Sequence, residues 1–139
     1  MSDSTHSIEE VFNRAPFVND LGIKPLSLAN GECVATLKIE PRLQQQNGFV
    51  HAGVQATLAD HSMGAAAYSI APIGNTVLTV EFKMSILRPA QGERLVCRAK
   101  VLKAGKQFTF VEADVFSVAS DKETLTMKAS ATMAVIAKR

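Results

Sequence analysis

The spacing of apolar residues changes near Thr76, and this change separates a helical segment from strands. From about Ala52 to Ile70 the chain is rich in alanine, lacks proline and is long enough to be helical rather than extended. Pro72 and Gly74 end this segment. Beyond Thr76 apolar and polar residues alternate, which is the pattern of a β-strand. The sequence therefore predicts one long helix followed by strands.

The strand that begins at Thr76 is the clearest in the chain, and we expect its alternate apolar residues to share one face, most of them in the core. These residues are Leu78, Val80, Phe82, Met84 and Ile86. Three more runs follow, ERLVCRAKVLKA, QFTFVEADVFSVA and TLTMKASATMAVIA, with short turns between them. They predict a meander of long antiparallel strands.

Two shorter strands are predicted before the long helix, in IKPLSLA and ECVATLKIE. The pair Asn30-Gly31 between them favours a tight hairpin. Residues 1–20 are interpreted as a tail with one short helix, in which MSDSTH is loose, Ser7 is the N-cap and the helix ends near Pro16. The whole chain, 1–139, is predicted to be a single α+β domain, with one sheet covered by one principal helix.

Composition excludes several classes of function. The formal net charge is only +2, with basic and acidic residues spread along the chain, so nothing marks a surface for nucleic acid or a membrane. No apolar run reaches the length of a membrane span. Cys33 and Cys97 lack CxxC spacing, and no signal peptide is evident, so we expect reduced core thiols in a cytoplasmic protein. Small-molecule chemistry or protein contact remains.

Asp60 is the residue that fits its surroundings least. The helix around it is apolar or small on nearly every side, which predicts that the helix is buried and its carboxylate with it. An unpaired buried carboxylate costs several kcal/mol, and the chain has no basic residue between Arg42 and Lys83. The alternative is an aspartate that reaches solvent at the edge of the helix.

His51 stands immediately before the helix, beside Ala52 and Gly53. Free backbone N–H groups at this end of a helix can stabilise a developing oxyanion. His51 and Asp60 are nine residues apart, which separates them by about 13 Å along one helix. They can act together only if the helix start of one protomer faces Asp60 of another across a two-fold axis. For His51 the alternative is a loop histidine held by backbone carbonyls.

A metal site built from His51, Asp60 and His61 is not favoured, because the spacing is not that of helical metal pairs and no third ligand is evident. His61 lies on an apolar stripe of the helix with Leu58 and Ala65. We therefore expect it to be a core or interface residue and leave it out of the site.

Three segments, GFVHAGVQATLAD, TVEFKMSILRPAQGE and VLKAGKQFTFVEADV, resemble the PaaI-like branch of the hot-dog fold acyl-CoA thioesterases. The resemblance extends over nearly the whole chain from about Leu21. It implies a long central helix wrapped by a curved antiparallel sheet of about six strands. It also implies a homodimer, or a dimer of dimers, with two active sites between protomers.

The resemblance assigns roles to residues at the helix. Asp60 corresponds to the catalytic carboxylate, acting as nucleophile or as general base on water. The N–H of Ala52, helped by Gly53, corresponds to the donor that polarises the thioester carbonyl. Family members have glycine where this chain has Ala52, which keeps the donor but disfavours a left-handed backbone.

Further roles are implied outside the helix. His51 and Gln45 fall on polar positions before it, with Gln45 or Asn47 reaching the substrate. Thr79 falls where some members have a serine that orients the water. At strand ends, Arg88, Lys103 and Lys106 are candidates for binding the phosphates of coenzyme A, or are solvated basic turns. We expect no metal and no cofactor, because coenzyme A is part of the substrate.

The activity implied is hydrolysis of an acyl-CoA to free acid and CoA, whose acyl group is left open. One alternative is a hot-dog dehydratase or hydratase of acyl thioesters, although its H-F-P-G-like element is not visible. Another is a module that binds acyl-CoA or dimerises without catalysis.

Overall fold

The computed structural model of the chain describes residues 7–139, so the expectation of a loose MSDSTH segment falls outside the described residues. These residues form two α-helices and six strands, preceded by a short π-helical turn at Glu9–Asn13. The helices are α1 (Pro16–Leu21) and α2 (Ala52–Ser69). The strands are β1 (Lys24–Ala29), β2 (Glu32–Lys38), β3 (Asn75–Ile86), β4 (Arg94–Ala104), β5 (Phe108–Ala119) and β6 (Lys122–Ala137).

The strands make one antiparallel sheet in the order β1-β2-β4-β5-β6-β3. Asn30 and Gly31, between β1 and β2, have φ values of 54° and 80°. Both values lie in the left-handed region that a two-residue hairpin turn needs. The predicted hairpin, the meander and the single helix against one sheet are therefore confirmed.

The long helix lies on one side of the sheet and supplies much of the core. Leu58, Ala59 and Met63 are fully buried in it, against sheet residues such as Leu95 and Val115. The prediction that the helix is buried on all sides is wrong for one protomer. Its remaining side is only partly covered, and the partly exposed residues there are Ala56, Thr57, Asp60, His61 and Gly64. A sheet that packs against one side of a helix leaves the opposite side open.

The prediction that apolar residues of β3 alternate on one face from Leu78 to Ile86 is also wrong. The register of β3 against β6 shifts between Thr79 and Glu81, so Val80 forms a β-bulge. A bulge adds one residue and reverses which side chains face the core. Leu78 and Val80 are consequently 59% and 58% exposed, whereas Phe82 packs against the core.

The N-terminal region differs from the single short helix that was predicted. Ser7 Oγ accepts a hydrogen bond from the Glu10 N–H at 3.2 Å, as a capping residue does. Pro16 then begins α1 instead of ending the region. Proline suits the first position of a helix because its missing N–H is not needed there.

Cys33 and Cys97 are both buried and form no disulfide in the described part of the chain. Burial raises the pKa of each thiol to about 12, so both stay protonated at neutral pH. In residues 7–139 no helix combines the length and the apolar character required to cross a bilayer.

Candidate active site

His51 is the N-cap of α2. Its Nδ1 accepts a hydrogen bond from the Gly53 N–H at 2.8 Å, and the His51 backbone is extended. This bond satisfies one of the N–H groups that a helix start leaves without a partner. A Cβ on residue 53 would lie 3.1 Å from His51 Nδ1, so glycine at this position leaves room for the imidazole ring.

The capping bond decides which backbone donor remains open. Gly53 N–H is already engaged by His51, whereas Ala52 N–H forms no hydrogen bond within residues 7–139. Ala52 is exposed and lies inside the right-handed helix. The replacement of glycine by alanine here therefore carries no backbone strain.

The loop before the helix positions Gln45. Its backbone N–H donates to Phe49 O at 2.8 Å and its carbonyl accepts from the Gly48 N–H at 3.0 Å, which closes a tight turn. Its side-chain Oε1 accepts from the Asn47 backbone N–H. A cavity of about 500 Å³ opens between this loop, the helix start and the end of β3, and Gln45, His51, Ala52 and Gln55 line it. Asn47 does not belong to its lining.

Arg88 lines the same cavity and is exposed. Its guanidinium donates to Leu125 O at 2.8 Å, which holds an exposed side chain in a fixed position. Arg88 therefore presents a charge to anything that extends outward from the helix start.

Lys103 and Lys106 are exposed, but they lie at the other end of the protomer. At that end Val101 N–H donates to Gly31 O, and Gly31 N–H donates to Ser69 Oγ at the last turn of α2. The helix has 18 residues, or about 27 Å of length. Within one protomer these lysines do not meet Arg88.

Asp60 occupies the middle of α2 and is held by β3. Thr79 Oγ1 donates to Asp60 Oδ1 at 2.7 Å, and the same hydroxyl lies 3.4 Å from Met133 Sδ. Asp60 is half-buried, so the predicted burial of its carboxylate is only partial. Within residues 7–139 no lysine or arginine forms an ion pair with it. The carboxylate is oriented by a neutral donor and keeps its charge unpaired.

A cavity of about 370 Å³ lies beside Asp60, between α2 and β3. Gly64 and Ala65 on the helix and Val77 on the strand give it an apolar wall. Its far end is charged, because Lys138 Nζ lies 3.1 Å from Glu10 Oε2 and 5.1 Å from the centre of the Tyr68 ring. The carboxylate thus opens onto a space large enough for a reacting group.

His61 is next to Asp60 in sequence, but its side chain packs against the N-terminal region. Its Nε2 lies 2.9 Å from Val11 O, and its ring packs edge-on against Phe12 at 4.7 Å between centroids. Burial lowers the pKa of His61, partly opposed by the bond to Val11 and the charge of Asp60. A neutral imidazole whose N–H donates to Val11 O agrees with its interpretation as a core residue.

Residues 47–124 match the sequence profile of the thioesterase superfamily. The chain is 30% identical over 128 residues to human acyl-coenzyme A thioesterase 13, covering 88% of this chain and 91% of the human protein. The crystal structure of a thioesterase family protein from Silicibacter pomeroyi superposes with a TM-score of 0.91 at 34% identity, over 94% of this chain and 96% of that one. A mutant of the phenylacetic acid degradation protein PaaI from Thermus thermophilus gives a TM-score of 0.74 at 25% identity, over 86% and 97% of the two chains.

The chain belongs to the thioesterase superfamily. The predicted hot-dog fold and the predicted thioesterase class are confirmed, and the PaaI structure agrees with the resemblance to that branch. Ala52 and Asp60 are eight residues apart in one helix, or about 12 Å.

Gln55 is the site residue that sequence reasoning missed in this thioesterase. It lines the cavity at the helix start although it is only 1% exposed. The sequence signal that could have identified it is that Gln55 is the one amide side chain in the otherwise mostly apolar or small helix α2. Elsewhere in residues 7–139, no three His, Cys, Asp or Glu side chains come together in a group that could hold a metal ion.

Proposed function

We propose that this protein hydrolyses acyl-CoA thioesters with Asp60 as its catalytic carboxylate. The observation that carries the proposal is the unpaired Asp60 carboxylate, oriented by Thr79 at the edge of an open cavity. Human acyl-coenzyme A thioesterase 13, by its name, acts on substrates of this class, and its similarity extends over most of the chain. A general base or nucleophile needs this combination of fixed geometry and free lone pairs.

In the proposed reaction the thioester oxygen accepts a hydrogen bond from Ala52 N–H at the positive end of α2. Asp60 removes a proton from water, and the water oxygen attacks the carbonyl carbon. The carbon–sulfur bond then breaks, CoA leaves as a thiolate that takes up a proton, and the acyl group leaves as the free acid. Direct attack by Asp60, followed by hydrolysis of the mixed anhydride, gives the same products.

The separation of about 12 Å between Ala52 and Asp60 supports an active site shared by two protomers. The edge of the sheet supports the same arrangement. β3 has a free edge and is 12 residues long, and Leu78 and Val80 are mostly exposed on it. A long apolar edge invites pairing with another strand. We propose that two copies pair through β3, so that the helix start of each faces Asp60 of the other.

The same two-fold arrangement gives the distant basic residues a role. Arg88 lines the cavity at the helix start, whereas Lys103 and Lys106 lie toward the other end of α2 in the same protomer. We propose that Arg88 and the lysines of the partner subunit together bind the phosphates of CoA, since lysine and arginine both recognise phosphate.

The test is release of free thiol from acyl-CoAs of several chain lengths, with Asp60→Asn as the variant. Asparagine keeps the size of the side chain and an acceptor for Thr79 but removes the charge. The expected loss in kcat is at least about a hundredfold. Asp20→Asn is the matched control, because Asp20 is an exposed aspartate on α1.

Turnover that survives Asp60→Asn would contradict the assigned role. Tight binding without thiol release in the unaltered protein would identify a binding module. Loss or gain of water across a carbon–carbon double bond, with the thioester intact, would identify a dehydratase or hydratase.

A further inference from the structure

The cavity at the start of α2 has one deeply buried polar group. Gln55 is 1% exposed, and it lines the cavity together with Ala52, the proposed donor to the thioester carbonyl. Much of the surrounding wall is apolar, with Phe49, Ile86 and Leu87 among its members. Burying an amide in such a place is unfavourable unless its donors and acceptors find partners.

One end of the Gln55 amide has a partner in the protein. Its Oε1 accepts a hydrogen bond from Thr126 Oγ1 at 2.8 Å, and Thr126 on β6 is fully buried. The Thr126 hydroxyl also lies 3.1 Å from Val115 O. This contact fixes the amide in one orientation relative to the sheet.

The amide nitrogen, at the other end of the Gln55 amide, has no such partner. Across residues 7–139, the Gln55 amide nitrogen forms no hydrogen bond, and it is not one of the polar atoms sealed away from solvent. The amide nitrogen therefore has no partner in the described residues and can donate a hydrogen bond to a molecule in the cavity.

The order of residues along the cavity indicates which part of the substrate meets Gln55. Arg88 and Ala52 are exposed at the outside, whereas Gln55 is buried. Gln55 follows Ala52 by three residues, or about 4.5 Å of helix. With the carbonyl at Ala52 and CoA leading outward to Arg88, the part nearest Gln55 is the first carbons of the acyl group.

We propose that Gln55 is a specificity-determining residue that selects acyl thioesters with an oxygen on carbon 3, namely 3-hydroxyacyl and 3-oxoacyl groups. Its amide nitrogen donates a hydrogen bond to that oxygen. Carbon 3 is two bonds from the carbonyl carbon, so its oxygen stays close to the first turn of α2 wherever the rest of the acyl group lies. The inference rests on the proposed function, because it takes the thioester carbonyl to bind at Ala52.

The test compares octanoyl-CoA with 3-hydroxyoctanoyl-CoA and 3-oxooctanoyl-CoA, and the variant is Gln55→Met. Methionine has a similar length and no hydrogen-bond donor. The variant should fold, because the Thr126 hydroxyl can turn to Val115 O. We expect the unaltered protein to favour the oxygenated substrates by about tenfold in kcat/KM. Gln55→Met should remove this preference, because it should lower kcat/KM for the two oxygenated substrates more than for octanoyl-CoA.

Two further variants test the geometry. Gln46→Met changes an exposed glutamine that lines the same cavity and should keep the preference. Thr126→Val leaves Gln55 in place but removes the contact that orients it, and should weaken the preference.

Binding is measured separately with analogues in which a methylene group between sulfur and carbonyl prevents hydrolysis. If the protein hydrolyses none of the thioesters but binds the oxygenated analogues through Gln55, the proposed hydrolysis is wrong and the specificity stands. Equal rates and equal binding for substrates with and without the oxygen would overturn the specificity. So would a Gln55→Met variant that loses activity equally on all three substrates.

Discussion

Gly64 provides a test of whether the cavity beside Asp60 is kept open for function. It lies one helical turn after Asp60 and lines the cavity of about 370 Å³. A Cβ built on it meets no atom within 4 Å. Nothing in the described protomer therefore requires glycine here, and glycine in the middle of a helix is unfavourable.

The expected size of the effect follows from this geometry. Gly64→Ala should raise the free energy of unfolding by about 1 kcal/mol, because alanine restricts the unfolded chain and adds no clash. For a chain of this length that corresponds to about 3–5 °C in Tm. Gly64→Leu keeps a good helix former but fills space next to the carboxylate. It should lower kcat/KM by about a hundredfold through displacement of the reacting group.

The measurements are chemical denaturation at a fixed protomer concentration and thiol release with a series of acyl-CoAs. Gly64→Ala serves as the control for Gly64→Leu, because both remove the glycine and only leucine extends into the cavity. A less stable Gly64→Ala would mean that another molecule covers this face of the helix. A fully active Gly64→Leu would mean that the reaction does not use this cavity. Either result would contradict the proposal that the cavity beside Asp60 is kept open for function.

Three other predictions concern Asp60, the N-terminal contact and the sheet edge. Thr79→Val removes the donor to Asp60 Oδ1 and should lower kcat/KM about tenfold, whereas Thr79→Ser keeps a hydroxyl and should retain the rate. Equal rates for the two variants would show that the Thr79 hydroxyl does not position Asp60. The pKa of His61 lies below its ordinary 6.5 in the folded protein, so as pH falls the unfolded chain binds a proton at His61 before the folded protein does. The free energy of unfolding should therefore decrease as pH drops below about 6.5. A His61→Gln protein whose free energy of unfolding has the same pH dependence would contradict this. Val80→Lys should dissociate the proposed dimer, as measured by sedimentation. Leu102→Lys is the control, since Leu102 is 56% exposed on the interior strand β4. If the Val80→Lys protein is still dimeric, the two copies do not pair through β3.

Local chemistry made much of the fold predictable from the sequence. Asn30-Gly31 predicted a hairpin because few other residues adopt two successive left-handed conformations, and both do so here. The alanine-rich segment predicted a helix to within a residue of Ala52–Ser69, because proline and glycine mark its end. These signals lie in the residues that adopt the conformation, so no distant contact is needed to read them.

The half-covered helix could not be predicted in the same way. Its residues are apolar or small on nearly every side, and composition alone cannot separate a side packed on the sheet from one left open in the protomer. The role of His51 as the N-cap of α2 also could not be predicted from the sequence. Its Nδ1 caps the helix through Gly53, and a histidine before a helix carries no sequence signal for that bond.

The bulge at Val80 links these failures to the proposed chemistry. Without it, an unbroken alternation would put Thr79 on the face opposite Phe82 and Met84, which pack against the core. The extra residue restores Thr79 to the side that faces α2, where its hydroxyl meets Asp60 at 2.7 Å. The same irregularity leaves Leu78 and Val80 exposed along the free edge of the sheet. One added residue in β3 therefore both orients the carboxylate and creates the apolar edge through which a second copy can supply Ala52.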